Sequence, residues 1–511
     1  MNNSNILNSL YSKLRTIAKT RPLFLLLLPV FFVLHSFISN YPVVNGIEAL
    51  TLAAWYIAVI FSITGVGWVI YRNLIKAALF AFFLMAFQFF FGFLQDTLKD
   101  MAPHFFISRY RFLLPAALLF FILFFIWLKK RKKALTAFIQ YLNVLFILLI
   151  LVDTGRLVVR LLPKNENSLL RYREESFTIC DTCSKPDVYL IVLDEYAGGE
   201  GLKNIFNFKN SAFENELERR GFYVVKKSNS NYNSTPYSIA SILNMEYIGL
   251  NKVGVNDLDL RYSYWKILNS RVINFFTAYG YDFYNLSAFD FPGQPPHNNK
   301  SFLPYRTELI TSQTFTGRLR KDIRSDVLSG KIRWKPLQKK IIYETLHFNE
   351  NNFKLVRDVA AQTSATPKFI YAHFMMPHAP YYWDSKGQPV SFEQLFVSKA
   401  ANKAGYIEYL QYCNNKILQL TDELFGASSA EPIIILLGDH GYREPGKNAD
   451  IRYDFSNLNA IYLPNKDYTR FSDSMTNVNV FRTLFNSGFH QQFQLLKDTM
   501  INLRKEYIYS R

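Results

Sequence analysis

Two apolar runs in this chain of 511 residues end in side chains that can bind a metal ion. Residues 433–438 are followed by Asp439 and His440, and an earlier run is followed by Asp194 and Glu195. Such runs are typical of buried strands, and α/β sheets place ligands at the carboxyl ends of their strands. Because carboxylate oxygens and imidazole nitrogens are common ligands of divalent cations, the sequence predicts one cation between the two strand ends.

A polar loop between the two runs leads into an apolar segment through Ser234, Thr235 and Pro236. Hydroxyl side chains followed by proline are preferred where a helix begins, so one interpretation is that Ser234 or Thr235 only caps the helix. The other is that Thr235 is a nucleophile, since a cation and exposed amides would lower its pKa enough for attack on phosphorus or sulfur. The two interpretations are compatible.

Two of the eight histidines, His373 and His378, lie five residues apart where a predicted strand, 367–374, ends. Pro377 and Pro380 make the loop that follows rigid. Histidines at a strand end are often structural. As imidazolium groups, however, these two would neutralise a phosphate or sulfate and protonate a leaving oxygen.

Short apolar runs alternate with longer amphipathic stretches after residue 186, which predicts an α/β domain. We expect a mixed, largely parallel sheet sandwiched by helices. The candidate strands are 187–193, 221–226, 281–287, 367–374, 432–437 and 458–463. The candidate helices are 208–220, 236–244, 265–279, 350–361, 403–424 and 476–486.

Five apolar segments precede this domain, each close to the roughly 20 residues of a membrane-spanning helix. They are 22–39, 50–71, 75–95, 112–128 and 135–155. Lys and Arg are concentrated before the first segment and in the second and fourth loops, which predicts a cytoplasmic N-terminus. The predicted organisation is therefore a five-helix membrane domain (1–163), a linker (164–186), a catalytic domain (187–490) on the opposite side of the membrane and a tail (491–511).

The net charge of +18 follows mainly from this topology, because residues 1–170 hold 17 basic and 5 acidic residues. The remainder is only mildly basic, so we expect no nucleic-acid partner. Cys180 and Cys183 are spaced as in a local disulfide, which fits an oxidising compartment. A zinc ribbon would need two further soft ligands, and Cys413 is the only other cysteine.

The order of Asp194-Glu195, Thr235, the two histidines and Asp439-His440 resembles the alkaline phosphatase superfamily, in its sulfatase-like branch. With five preceding helices, the chain is similar to lipoteichoic acid synthases and lipid A phosphoethanolamine transferases. The resemblance implies a threonine nucleophile, Thr235, and one zinc or manganese ion. Its ligands would be Thr235, Glu195 or Asp194, Asp439 and His440, while His373 and His378 would bind substrate.

Two departures keep alternatives open. Sulfatases that mature to formylglycine have an arginine after the proline, but Pro236 is followed by Tyr237 and Ser238. Conversely, the adjacent pair Asp194-Glu195 is closer to sulfatases, for which calcium would be the metal.

We therefore expect a bacterial inner-membrane enzyme with a periplasmic catalytic domain. It would transfer a phosphoryl-linked headgroup from a lipid donor, with a lipid-linked or envelope glycan substrate as its partner. A sulfatase or phosphodiesterase is the alternative, and a non-catalytic membrane binding module is the second. The sequence does not indicate the oligomeric state, or whether Ser234 or Thr235 attacks.

Overall fold

The computed structural model describes residues 21–41, 43–101, 106–161, 177–178, 180, 183–248, 257–297, 307–428, 430–446 and 449–503. These residues form two compact units. The first, called the membrane unit, contains the described residues up to 161 together with 307–323. The second, called the catalytic unit, contains the other described residues. Most of the predicted linker, 164–186, lies outside the described residues.

Five apolar helices form most of the membrane unit, as the sequence predicts. They are α1 (Phe24–Ser39), α2 (Gly46–Tyr71), α3 (Leu74–Met101), α4 (Tyr110–Lys130) and α5 (Thr136–Leu161). The last four are long and apolar enough to cross a membrane. The first has 16 residues, which at about 1.5 Å per residue spans roughly 24 Å, less than a hydrocarbon core of about 30 Å.

Polar contacts hold α1 and α5 side by side in a parallel pairing. At one end of the unit, Asn143 of α5 accepts a hydrogen bond from the Phe24 amide of α1 at 2.8 Å. At the other end, Arg160 near the end of α5 donates to the carbonyl oxygen of Ile38. Because polar groups in lipid must find partners within the protein, these bonds stabilise the pairing of α1 with α5.

The segment 307–323 folds with the membrane helices, although the sequence analysis places it in the catalytic domain. It contains α11 (Glu308–Thr311) and most of α12 (Phe315–Leu328). The amide of Gly92 on α3 donates to the carbonyl oxygen of Gln313 at 2.8 Å. A Cβ atom at Gly92 would lie 2.5 Å from that oxygen. Glycine is therefore required for this close approach, which joins residues more than 200 positions apart and leaves no local sequence signal.

The catalytic unit is built on one sheet with strand order β2-β6-β5-β1-β4-β3 in the described residues. The strands are β1 (Val188–Leu193), β2 (Tyr223–Val224), β3 (Asp282–Leu286), β4 (Lys368–Phe374), β5 (Ile433–Gly438) and β6 (Asn459–Tyr462). β5, β1, β4 and β3 are parallel, and β6 pairs antiparallel with β5 and with β2. The mixed, largely parallel sheet and all six predicted strands are confirmed.

Helices complete the catalytic unit. They are α6 (Gly199–Phe206), α7 (Ser211–Arg219), α8 (Thr235–Asn244), α9 (Asp257–Leu268), α10 (Arg271–Ala278), α13 (Lys335–Ile342), α14 (Glu344–Ala360), α15 (Lys403–Ala427) and α16 (Val480–Gly488). The predicted helix 265–279 is two helices, because the Ser270 side chain caps α10 by accepting from the Ile273 amide at 3.1 Å. Such a cap begins a new helix.

Two further features tie the ends of the catalytic unit to its body. Cys180 and Cys183 form a disulfide, as predicted, and the Cys180 amide donates to the Tyr279 hydroxyl at 3.0 Å. Residues 491–503, predicted to be part of a tail, pack back on the unit, where the Ile501 amide donates to the carbonyl oxygen of Asn231 at 2.8 Å. This contact supports the loop that leads into α8.

Candidate active site

The central position of β1 brings the two predicted strand ends together. In the register, Leu193 of β1 is the partner of both Gly438 and Phe374. The bonding continues past the strand, because the Asp439 amide donates to the carbonyl oxygen of Leu193 at 3.3 Å. Asp194 and Asp439 therefore lie side by side, at the edge of the sheet where ligands of α/β proteins bind.

Two glycines at this edge allow other backbone atoms to approach closely. A Cβ atom at Gly441 would overlap the carbonyl oxygens of Tyr453 and Ser456. A Cβ atom at Gly438 would lie 2.9 Å from the carbonyl oxygen of Tyr196. The Gly-Asp-His-Gly sequence thus has a steric basis, since both flanking positions contact backbone that cannot move aside.

Asp194, Asp439 and His440 form a buried cluster whose ligand atoms all lie within 4.8 Å of one another. His440 Nε2 is 3.5 Å from Asp439 Oδ2 and 3.8 Å from Asp194 Oδ1. Neither of these two oxygens has a hydrogen-bond partner in the described part of the chain. Orphaned, buried carboxylate oxygens beside an imidazole nitrogen are costly without a cation, so this donor set fits a divalent metal ion.

The remaining atoms of the cluster hold it in shape. Asp439 Oδ1 accepts from the amides of Glu195 at 3.0 Å and His440 at 2.8 Å. His440 Nδ1 lies 2.8 Å from the carbonyl oxygen of Gly441, to which it donates. Because that bond fixes the proton on Nδ1, the Nε2 lone pair is available to a metal, as in many histidine ligands.

Thr235 is the first residue of α8, and its Oγ1 lies 3.5 Å from His440 Nε2. Ser238, one turn later, donates to the carbonyl oxygen of Asp439 and anchors the helix beside the cluster. Ser234 is buried and makes no capping hydrogen bond with the described residues, whereas Thr235 is partly exposed. Of the two hydroxyls, the structure therefore brings Thr235 to the carboxylates.

Burial and the neighbouring charges set the protonation of the cluster. Burial, reinforced by the charge of Asp439, raises the pKa of Asp194 well above its usual range. Burial also acts on Asp439, but His440, His373 and Thr235 stabilise its anion and lower its pKa. Burial lowers the pKa of His440 to about 4. His440 is therefore neutral near pH 7, which is the form that binds a metal.

Glu195 lies outside this cluster, because its carboxylate faces a group of cations. It is fully buried with φ +63° and forms an ion pair with Lys399. The Arg443 amide donates to it at 2.9 Å, and His378 Nε2 lies 3.8 Å away. Burial raises the pKa of Glu195, but Lys399, His378 and Arg443 together lower it more, so the carboxylate stays ionised.

Sequence reasoning did not identify Lys399 and Arg443. Arg443 lies two residues after Gly441, so its place in the same loop is a signal that was available. Lys399 lies in a polar stretch between β4 and α15 and carries no motif. Its ammonium also lies 4.0 Å from the centre of the Tyr442 ring.

The two predicted histidines differ in environment. His373 is fully buried in β4, and its Nδ1 lies 3.1 Å from the hydroxyl of Tyr371. Burial lowers its pKa to about 4, so the ring is neutral near pH 7 and not the imidazolium that the sequence analysis expects. His378, in the loop after β4, is 37% exposed at its side chain, and burial lowers its pKa too, although the charge of Glu195 opposes this.

Comparisons with known proteins identify a family model and several solved structures to which the chain is similar. The family model "Sulfatase" matches residues 271–484. The chain is similar to the C-terminal periplasmic domain of EcEptC from Escherichia coli, with 11% identity over 63% of this chain and 91% of that one and a TM-score of 0.38. It is also similar to phosphonate monoester hydrolase SpPMH from Silicibacter pomeroyi, with 13% identity over 62% and 75% and a TM-score of 0.37.

A third solved structure, the periplasmic domain of phosphoethanolamine transferase EptC from Campylobacter jejuni, has 13% identity over 62% of this chain and 92% of that one, with a TM-score of 0.33. None of the curated proteins compared matches the chain. The family-model match includes both histidines and the Asp439-His440 pair. Residues 271–484 therefore form a Sulfatase family-model domain, which is of the alkaline phosphatase-like type.

Proposed function

We propose that the chain is a metal-dependent enzyme of the bacterial inner membrane that transfers a phosphoryl-linked headgroup from a lipid donor through Thr235. The convergence of Thr235 Oγ1 with the Asp194, Asp439 and His440 cluster carries this proposal. A hydroxyl in that position can be both a metal ligand and a nucleophile. The charge pattern of the loops supports a periplasmic catalytic domain.

The donor set supports zinc or manganese rather than calcium. Two carboxylates, one imidazole and one hydroxyl make four ligands, which suits a tetrahedral zinc site, whereas calcium takes six to eight oxygens. Asp194, Asp439, His440 and Thr235 would hold the ion. When bound, it would lower the pKa of the Thr235 hydroxyl and offset negative charge on the substrate.

The residues of the chain then divide the reaction into two displacements. Thr235 Oγ1 gives its proton to solvent and forms a bond to phosphorus, while the bond from phosphorus to the donor alcohol breaks. His378, the partly exposed histidine, takes a proton from solvent and passes it to the leaving oxygen. In the second displacement an acceptor hydroxyl gives up its proton to His378 as its oxygen attacks phosphorus, and the threonine oxygen leaves and takes a proton from solvent. The ammonium of Lys399 lies beside Glu195 at the same site and favours an anionic substrate.

The test is mass spectrometry of the full chain incubated in vesicles with a phospholipid carrying a labelled headgroup. We expect a labelled adduct on Thr235 and its complete loss in Thr235→Ala. Ser234→Ala is the matched control, because the neighbouring hydroxyl is buried, and it should keep the adduct. Turnover that persists in Thr235→Ala would contradict the mechanism.

Hydrolysis of sulfate or phosphate esters is the second candidate, favoured by the match to a sulfatase family model. The same peptides distinguish it, because formylglycine at Ser234 would identify a sulfatase. A protein that holds no stoichiometric metal and forms no adduct would instead be a binding module on this fold.

A further inference from the structure

A cavity in the membrane unit shares no lining residue with the cluster of Asp194, Asp439 and His440. It has a volume of about 440 Å³ and lies between α2, α3 and α4, with Phe315 and Thr316 of the segment 307–323 as a further wall. That volume holds on the order of 15 groups the size of a water molecule, each occupying about 30 Å³. The methylene groups of a hydrocarbon chain are of similar size. We call this cavity the membrane cleft.

The lining of the membrane cleft is suited to hydrocarbon. Its described residues are apolar except for Tyr56, Gln88 and Thr316, and none is charged. Gln88 Nε2 donates to Thr316 Oγ1 at 2.7 Å, so these two polar groups satisfy each other. Val59 and Leu118, which also line it, are exposed. The cleft therefore opens on the surface that the spanning helices present to lipid.

The lining of the cleft extends from near one end of the spanning helices past their middle. Leu114 lies four residues after the start of α4 and Ile63 seventeen residues after the start of α2. At about 1.5 Å per residue these are roughly 6 and 26 Å from the helix ends, a span of about 20 Å in helices long enough to cross a hydrocarbon core of about 30 Å. Because the helices alternate, those ends lie on the side of the unit where α5 ends.

The wall formed by the segment 307–323 is firmly attached. Arg318 forms an ion pair with Asp96, and the Tyr110 hydroxyl donates to Asp322 at 2.6 Å. Phe315 packs against Phe91 with ring centres 5.0 Å apart. These contacts hold Phe315 and Thr316 in a fixed position as one wall of the cleft.

We propose that the membrane cleft binds one acyl chain of a membrane phospholipid. The apolar lining, the mutually satisfied polar pair and the opening toward lipid favour a hydrocarbon chain over a charged headgroup. This lipid site does not depend on the proposed chemistry at Thr235.

The test is photolabelling of the full chain in vesicles of phosphatidylethanolamine and phosphatidylglycerol. A phosphatidylethanolamine that carries a diazirine on its acyl chain is the probe, and labelled residues are mapped by mass spectrometry. Met85 lines the cleft but is only 4% exposed, so ordinary surface lipid does not reach it. We expect label on Met85. Label confined to exposed positions such as Leu119 would overturn the proposal.

Two variants make the test specific. Ala117→Trp fills the cleft and should remove most of the Met85 label, whereas Leu119→Trp, on the same helix but outside the lining, should keep it. Gly92→Ala should also remove it, because the new Cβ displaces the wall at Gln313 without harming the helix. Unchanged labelling in both Ala117→Trp and Gly92→Ala would refute the site.

Two further outcomes are informative. A second copy of the chain could cover the cleft instead; Met85 would then stay unlabelled, a Leu118→Cys variant would crosslink between copies, and the proposal would fail. Thr235→Ala should be labelled at Met85 like the wild type. Failure of the lipid site is thereby distinguished from failure of the proposed reaction.

Discussion

Asp439→Asn separates a metal site from an ordinary buried network. The substitution keeps the shape of the side chain, and its Oδ1 can still accept from the amides of Glu195 and His440. It removes the charge at Oδ2, which has no hydrogen-bond partner among the described residues. A second orphaned oxygen, Asp194 Oδ1, belongs to the same cluster.

The expected magnitude follows from the distance between the two carboxylates. Their ligand oxygens lie within 4.8 Å, and two unit charges at that distance repel by about 3.5 kcal/mol at an effective dielectric constant of about 20. The raised pKa of Asp194 already relieves part of this repulsion. The contacts that lower the pKa of Asp439 are partly lost in the variant and offset a further share of it, so we expect Asp439→Asn to raise the free energy of unfolding of the metal-free protein by only about 1 kcal/mol.

With metal present the wild type should be more stable than Asp439→Asn. An ion at a thousand times its Kd stabilises the wild type by about 4 kcal/mol. The variant lacks one charged ligand and should gain less than about 1 kcal/mol. The assay is thermal unfolding of the full chain in detergent, with EDTA or with zinc or manganese. Each kcal/mol shifts the midpoint by about 2 to 4 °C for a domain of this class.

Asp473→Asn is the matched control, because Asp473 is exposed. Among the described residues its side chain accepts one hydrogen bond, from the Tyr223 hydroxyl at 2.8 Å. It should change the free energy of unfolding by less than about 0.5 kcal/mol in either condition. The reasoning is refuted if Asp439→Asn is less stable than the wild type in EDTA and gains as much stability from metal.

Two more predictions concern the charges around the cluster. Lys399→Met leaves buried Glu195 without its ammonium partner and should cost about 3 kcal/mol of unfolding free energy, the low end for a broken buried pair, because the Arg443 amide still donates. Lys403→Met, which breaks a half-exposed pair with Glu444, is the control and should cost under about 1 kcal/mol of unfolding free energy in denaturant titrations. Equal losses in the two variants would contradict burial as the cause of the larger effect of Lys399→Met. His373 has a pKa of about 4 in the folded protein and about 6.5 when unfolded, so the unfolded state binds more protons between these values and stability falls as the pH falls through that window. Between pH 7 and pH 4 the free energy of unfolding should therefore fall by about 3 kcal/mol less in His373→Gln than in the wild type. An unchanged pH dependence would contradict a buried neutral ring.

The strand ends were predictable from sequence because burial on both faces of a parallel sheet demands continuous apolar runs, and such runs are visible locally. All six strands, the helix that begins at Thr235 and the Cys180–Cys183 disulfide follow from patterns of this kind. The five apolar helices do as well, since a bilayer requires long apolar segments.

Other features depend on residues that are far apart in the chain. The sequence could not choose between Asp194 and Glu195, because adjacent side chains at a strand end point in different directions, and only the fold shows which one faces Asp439. Glu195 faces away because Lys399, 204 residues later, lies beside it. In the same way, packing of 307–323 on Gly92 joins distant segments through backbone atoms and leaves no mark in composition or periodicity.

The sequence by itself thus determined the types of chemistry and the elements that carry them, since side-chain type and hydrophobic period are local properties. The tertiary structure alone decided which side chains converge and in what state. It neutralised His373 by burial, left one carboxylate oxygen each of Asp194 and Asp439 without a hydrogen-bond partner among the described residues, and paired Glu195 with a lysine. These outcomes depend on distance and solvent exclusion, which arise only when the chain has folded.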